Sequence, residues 1–501
     1  MLRHLILLSL CILSFHLVPA QQKPNVIYIY ADDLGYGDLS CYGATKIHTP
    51  NLDKLAASGI RFTNGHCTSG TCTPSRFALM TGQYPWRKRG TGILPGDAVL
   101  IVPVDRITLP KVFKQAGYAT GIVGKWHLGL GDSVAKNWNG EIRPGPNDIG
   151  FDYSFIFPAT ADRVPTVFLE NRKVVAADPD DPIAVDYTKK IGNDPTGAEH
   201  PELLKMQSSQ GHNNTIVNGI GRIGYMSGGR QARWVDEELS STFMFKAIQF
   251  IEDHRKTPFF LYFALTEPHV PRMPATRFKG VSGLGYRGDD ILQLDWTIGQ
   301  LMKYLEHNGL TKNTIVIFTS DNGPVLDDGY QDGAVTMLNG HTPAGPMRGG
   351  KYSALEGGTR IPFIISWPTH IAPKVSSALV CQIDMLASFA HLLGQKIPAG
   401  EAPDSEDLLQ TFLGTSDAKA RQVLIEQGLT DPTAIIEGNW KYIRPHPGPA
   451  LMEAVGIETG NASYPQLYDL KDDIGEKNNL ATQYPEKVKE LDRLLERITH
   501  K

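Results

Sequence analysis

The sequence predicts an α/β protein: a large domain with a mostly parallel central sheet flanked by helices, followed by a smaller C-terminal α+β domain with an antiparallel sheet. Three observations carry this expectation. Short apolar runs over residues 25–30, 119–123, 258–264, 314–319 and 361–366 have the length and bulk of strands in the middle of a covered sheet. Helix-like stretches over 51–58, 109–116, 237–254 and 289–308 lie between them, the alternation of an α/β domain. After about residue 415 the pattern changes to short segments at 423–427, 433–442 and 467–470 and an amphipathic helix near 488–498.

A chain of 501 residues exceeds the usual span of one core, so we divide it into a large domain, 21–415, and a small one, 416–501. The first twenty residues read as a secretory signal peptide: Met1-Leu2-Arg3-His4, an apolar run from Leu5 to Leu17, then Val18-Pro19-Ala20 at the cleavage site. That run is shorter than the roughly 20 residues a transmembrane helix needs, and no later stretch reaches it. The mature chain is therefore expected to be secreted or periplasmic and not membrane-spanning. A net charge of -4 with scattered Lys and Arg lacks the basic stripe that nucleic acid demands. Cys41, Cys67, Cys72 and Cys381 follow the signal segment, too few for a disulfide scaffold, so a hydrophobic core must hold the fold. The polar, Gly-rich region 178–229 reads as a long insertion.

In an open α/β sheet, ligands gather beyond the carboxyl ends of the strands. Four such ends carry polar residues here: Asp32-Asp33 after Tyr30-Ala31, Lys125-Trp126-His127 after Val123-Gly124, Glu267-Pro268-His269 after Ala264, and Asp321-Asn322-Gly323 after Thr319-Ser320. Adjacent strand residues point to opposite faces, so Asp32 and Asp33 reach one point only if the strand has ended in a turn, for which Gly35 and Gly37 are at hand. Crowded carboxylates repel, and a hard divalent cation bound by oxygens relieves them; Asp321 and Asn322 offer two more oxygens. Either motif alone would be loop punctuation. Both at apolar strand ends point to metal. In Thr71-Cys72-Thr73-Pro74-Ser75-Arg76, Thr73 is a plausible N-cap and Pro74 suits the first helical position, which puts Cys72 at a helix N-terminus, where an anion is favoured and Arg76 adds a fixed positive charge. A buried structural cysteine is the commoner fate of such a residue. Zinc on His66, Cys67 and Cys72 lacks a second Cys/His pair to complete four ligands.

Cys72-Thr73-Pro74-Ser75-Arg76 followed by Thr81-Gly82, together with Gly117 through His127, resembles the two signatures of the sulfatase family. The likeness continues through Asp32-Asp33, Pro268-His269, Asp321-Asn322-Gly323, Arg348-Gly349-Gly350-Lys351, Glu356-Gly357-Gly358 and Leu467-Tyr468-Asp469-Leu470, nearly the whole mature chain. The resemblance implies an alkaline-phosphatase-like large domain and hydrolysis of a sulfate monoester, most readily on a sulfated sugar of a glycan. It implies that a formylglycine-generating or sulfatase-maturating enzyme oxidises Cys72 to formylglycine, whose hydrated aldehyde attacks sulfur. It also implies one calcium ion on Asp32, Asp33, Cys72, Asp321 and Asn322. By the same carry-over Arg76, Lys125 and His127 position and polarise the diol, His127 serves as base, His269 and Lys351 hold the sulfate with Lys125, and His269 protonates the leaving oxygen. One departure is Pro324 after Gly323, where many relatives have Gly and then His. His341, before the 348–351 turn, is a further candidate for substrate contact. Two rivals are a phosphonate monoester or phosphodiester hydrolase of the same superfamily and an inactive glycan-binding protein.

Overall fold

Strand Asn25–Ala31 shows why the sheet is buried on both faces. Val26, Tyr28 and Tyr30 join one hydrophobic cluster, while Ile27, Ile29 and Ala31 join the other. An apolar run without polar alternation is what a doubly covered strand requires. In this computed structural model, which describes residues 23–429 and 431–500, the strand pairs in parallel with Thr314–Ser320 on one side and Phe259–Ala264 on the other. Ala119–Lys125 and Tyr153–Phe157 continue the parallel order outward from Phe259–Ala264. Beyond Thr314–Ser320 the antiparallel strand Phe363–Ser366 leads to Ile60–Phe62 and Lys374–Ser376, and the hairpin Leu169–Glu170/Lys173–Val174 closes the opposite edge, ten strands in all.

Helices fill the two faces. Pro50–Ala57, Leu239–Asp253 and Gly285–His307 cover one through Leu52, Phe243, Phe250, Ile291 and Leu294. Cys72–Thr81, Leu109–Gln115 and Met385–Leu392 cover the other through Phe77, Leu79, Phe113 and Phe389. Close approach accounts for Gly121 in the middle of a strand: a Cβ there would lie 2.6 Å from the Phe250 ring. The helix expected from 289 begins at Gly285, and the insertion at 178–229 holds the hairpin Ile216–Val217 with Ile220–Gly221, the antiparallel pair Ala184–Asp186 with Tyr225–Ser227 and a 3-10 turn at Pro201–Leu203. The expected signal peptide lies outside the described residues. Among the described residues no helix is long and apolar enough to cross a membrane, and Cys41, Cys67, Cys72 and Cys381 are all free.

The C-terminal strands Val423–Gln427, Pro432–Glu437, Trp440–Ile443 and Gln466–Asp469 form an antiparallel sheet, and helix Pro485–Thr499 lays Leu491 and Leu495 on it. The expected segment 433–442 is thus a hairpin that turns at Gly438-Asn439. This sheet docks against Ala78, Leu355 and Cys381 of the large sheet's layer. Where they meet, Lys441 is fully buried among three carboxylates, 2.8 Å from Glu356, 3.1 Å from Glu426 and 3.5 Å from Glu476.

Burial pushes the Glu476 carboxyl up to about 7, and burial does the same to Asp384, with Lys441 and Arg421 opposing. A carboxyl whose pKa is raised on folding keeps a proton that the unfolded chain has already lost. Its contribution to stability is complete below the ordinary carboxylate range and disappears as pH rises through about 7. Glu476→Gln, which does not titrate, should therefore lose less stability than the wild type between mildly acidic and mildly alkaline pH. Superimposable pH profiles from calorimetry of the two proteins would contradict this account of the interface.

Candidate functional site

The polar strand ends meet at one point. Asp32 donates its backbone N–H to Glu267 O at 3.2 Å, and Asp321 donates its own to Ala31 O at 3.2 Å, so three adjacent strand ends are sewn together beyond the sheet. Asp33 has φ 59, a left-handed turn that breaks strand alternation and lets both neighbouring carboxylates face the same centre. Helix Cys72–Thr81 begins earlier than its sequence signals indicate. Thr71 is extended, with φ -145 and ψ 150, and Cys72 is the first helical residue, so Pro74 falls third in the helix. Its missing N–H is still one of the four that a first turn leaves unbonded.

Charge alternates through the site. Arg76 donates from Nε at 3.0 Å and Nη2 at 2.8 Å to Asp321 Oδ2, and its guanidinium lies 4.9 Å from the Tyr30 ring centroid. Lys125 Nζ is 2.6 Å from Asp32 Oδ2 and 3.9 Å from Asp321 Oδ2. Lys351 Nζ is 2.9 Å from Asp33 Oδ2 and 2.7 Å from Asp328 Oδ2. Asn322 Nδ2 donates to Asp33 Oδ1 at 2.7 Å. Asp32, Asp33, Arg76, Lys125, Asp321 and Asn322 have no solvent exposure at all. Burial and the Asp321 charge push the Asp32 carboxyl well above the usual carboxylate range, against the pull of Lys125 and Arg76.

The residues present fit a hard divalent cation. Ligand atoms of Asp32, Asp33 and His269 lie within 4.8 Å of one another, and two buried oxygens beside them, Asp32 Oδ1 and Asn322 Oδ1, have no hydrogen-bond partner. Oxygen-rich, acid-rich donor sets of this kind suit calcium or magnesium, not a thiophilic metal. Close packing holds the donors in place, since a Cβ on Gly323 would sit 1.8 Å from Gly357 O.

Hydrogen bonding fixes the tautomers of both histidines. His127 Nε2 faces Leu94 O at 2.9 Å and so carries the proton, leaving Nδ1 as a bare acceptor 3.3 Å from Cys72 Sγ. His269 Nδ1 faces Val270 O at 2.7 Å, which leaves Nε2 as acceptor 3.3 Å from Lys351 Nζ. Burial and the nearby lysines hold both imidazoles well below the usual histidine range, so both are neutral. Burial also raises the Cys72 thiol, although Lys125 and Lys351 oppose it.

The structure thus brings together Asp32, Asp33, Cys72, Arg76, Lys125, His127, His269, Asp321, Asn322 and Lys351. His341 is bonded through Nε2 to Asp38 Oδ1 at 2.8 Å; Arg287 holds the same carboxylate, which in turn accepts the Gly35 N–H at 2.7 Å. Sequence reasoning missed Asp328, which anchors Lys351 and accepts from Tyr352 Oη at 3.0 Å. The Asp327-Asp328 pair, a repeat of the Asp32-Asp33 pattern, was the available signal. It also missed Arg163, held by Asp162 at 3.0 Å, whose charge lowers His127. His212 joins this group at 3.0 Å from Asp162.

A family model described as Sulfatase matches residues 24–395. The chain is 57% identical over 477 residues to an N-acetylgalactosamine-6-O-sulfatase of Bacteroides thetaiotaomicron, across 95% of this chain and 93% of that protein. It is 33% identical over 476 residues to human arylsulfatase A, across 92% and 83%. A solved Bacteroides thetaiotaomicron structure, described under the metabolism of multiple glycosaminoglycans, superposes with a TM-score of 0.94 at 56% identity, over 96% of this chain and all 100% of that one. A Pseudoalteromonas sulfatase at 24% identity and a TM-score of 0.71 shares the fold over 95% of this chain and 90% of its own. With its strand ends and its helix-start cysteine arranged as described, the chain belongs to the sulfatase family and is a sulfuric ester hydrolase.

Proposed function

We propose that this chain is a secreted or periplasmic carbohydrate sulfatase that removes a sulfate monoester from a sugar of a glycan, and that residues 21–415 form its catalytic domain and 416–501 a small domain. The observation that carries this reading is the placement of Cys72 at a helix start, 3.3 Å from the bare Nδ1 of His127, beside buried cations and an oxygen-lined cluster. The 57% identical relative names the substrate we assign, a 6-O-sulfated N-acetylgalactosamine.

Asp32, Asp33, Asp321 and Asn322, with the side chain at position 72, would hold one calcium ion, which supplies Lewis acidity toward sulfate oxygens. Formylglycine at position 72, made by a separate maturation enzyme, supplies two hydroxyl oxygens on one carbon when hydrated. An unmodified thiol, held protonated by burial, is a poor nucleophile. His127 Nδ1 is placed to take a proton from a group on residue 72, and its bond to Leu94 O keeps that nitrogen free. Arg76 holds Asp321, and Lys125 holds Asp32, in fixed orientation. Lys125 and Lys351 present donors to sulfate, preorganised positive charge being most effective where water is excluded, and His269 Nε2 joins them only when protonated. His269 Nε2 is placed to act as the acid toward the leaving oxygen after taking a proton from solvent, while the Lys351 ammonium 3.3 Å away, held charged by Asp328 and Asp33, keeps its own proton. Arg163 and His212, fixed on Asp162 beside these groups, are the candidates for sugar hydroxyls. We give His341 the task of bracing the Asp33 turn through Asp38 in place of substrate contact.

Active protein should yield a residue-72 peptide lighter than the cysteine form and reactive with carbonyl reagents, by mass spectrometry; full turnover by protein whose Cys72 is an unmodified thiol would overturn the reading. His269→Ala should slow esters of sugar alcohols by roughly a hundred- to ten-thousand-fold while sparing activated aryl sulfates. Equal losses on both substrates would reassign it to binding. Asp321→Ala removes a proposed cation ligand and also strands Arg76, so it should abolish activity and cost about 3–5 kcal/mol of stability. A variant that kept full activity in chelator would sink the cation assignment.

A further inference from the structure

Lys351 sits in a strained loop. Gly349 and Tyr352 both have positive φ, 78 and 75, and Tyr352 is not a residue that adopts it freely. The loop closes on itself where Gly357 N–H donates to Arg348 O at 2.8 Å. It grips the cation side of the site through two backbone bonds, Lys351 N–H to Pro324 O and Gly323 N–H to Gly358 O, both 2.8 Å. Both ends of this loop run to a single residue of the C-terminal segment. Arg348 Nη1 donates to the backbone carbonyl of Glu476, and the Glu356 N–H donates to Glu476 Oε2 at 2.6 Å. Glu476 is fully buried and has φ 51, so it is itself held in an unusual conformation.

We propose that Glu476 is a positioning residue of the reaction: it clamps both ends of the 348–356 loop and so sets where the Lys351 ammonium lies relative to Asp33, His269 and residue 72. Its surroundings serve that clamp. Lys441 faces Glu476 Oε1 at 3.5 Å while binding the Glu356 carboxylate at 2.8 Å, and Arg360 Nε takes the other Glu356 oxygen at 2.5 Å. Glu426 is held by Lys441 and by His66 Nδ1 at 2.8 Å. The C-terminal segment also touches the loop at Glu458, which accepts from Arg348 Nε at 2.9 Å and Nη2 at 3.0 Å, and at Thr459 O, which accepts the Ala354 N–H at 2.9 Å, but Glu476 alone holds both ends. A glutamine at 476 retains an oxygen for the Glu356 N–H; an alanine does not.

The proposal rests on the reading of Lys351 as a sulfate-holding residue, so Lys351→Ala is the first control. Its expected signature is a raised KM for 4-nitrophenyl sulfate and weaker competitive inhibition by inorganic sulfate. Glu476→Ala, assayed in calcium well below its melting temperature, should show the same signature, with kcat/KM down by about a hundredfold, the order expected of a displacement near 1 Å. Glu476→Gln should restore values close to wild type. Arg348→Met, which cuts the other tether together with the Arg348–Glu458 pair, should move KM and sulfate inhibition in the same direction by less, while Glu458→Gln, which spares the bond to Glu476 O, should leave both close to wild type. If Lys351→Ala leaves sulfate inhibition unchanged, the reading of Lys351 fails. If Lys351→Ala shifts it while Glu476→Ala only lowers the melting temperature, the positioning role is overturned. Should Glu476→Ala not fold, a folded Arg348→Met with wild-type KM and sulfate inhibition overturns it equally.

Discussion

The structure depends on the cost of burying like charges at the ends of adjacent parallel strands. Asp32, Asp33, Asp321 and Asp328 face three fixed cations, Arg76, Lys125 and Lys351, in formal charge four against three. One negative charge is left over, and Asp32, fully buried beside Asp321, is the group pushed toward protonation. A divalent cation on the same oxygens would turn that deficit into one positive charge, and a sulfate monoester anion would bring the site to neutrality. On the proposed reading, the site's charge count closes when cation and substrate are both bound. That is an arrangement in which charged side chains are held for a ligand and not for stability, since a buried ion cluster by itself is weak support for a fold.

The frame of this arrangement was legible in the sequence because its signals are local. Apolar runs of strand length marked Asn25–Ala31, Ala119–Lys125, Phe259–Ala264 and Thr314–Ser320, and polar residues clustered immediately after each. The topology then dictates that ends of adjacent parallel strands converge. What stayed hidden depends on loops. Asp328 lies seven residues past Asp321 on a segment with no periodicity, and its meeting with Lys351 is set by the path of two loops. Arg163 follows strand Tyr153–Phe157, at a strand end whose residues lack an acidic or histidine pair. The helix start at Cys72 was displaced because proline and threonine are tolerated at several first-turn positions, and tertiary bonds chose among them. His341 has the residue type of a contact residue, but its ring is committed to Asp38, a partner 303 positions away.

The charge count also bears on the rival chemistry. Phosphate monoesters carry two negative charges near neutrality and would leave the completed site with a net negative charge. Sulfate monoesters, phosphodiesters and phosphonate monoesters carry one and would not. With a divalent cation in place the count would favour monoanions, and membership of the sulfatase family selects the sulfate ester among them. The remaining choice, among sugars and positions, cannot be made by groups that touch only sulfate oxygens. On the proposed reading it falls to side chains beyond the sulfate, for which Arg163 and His212, both fastened to Asp162, are the candidates. A site with this division of labour can keep Arg76, Lys125 and the strand-end carboxylates unchanged while its outer residues follow the sugar. This fits a family whose fold persists at 24% identity in a Pseudoalteromonas sulfatase, while the 57% identical relative is named for a single sugar and a single position.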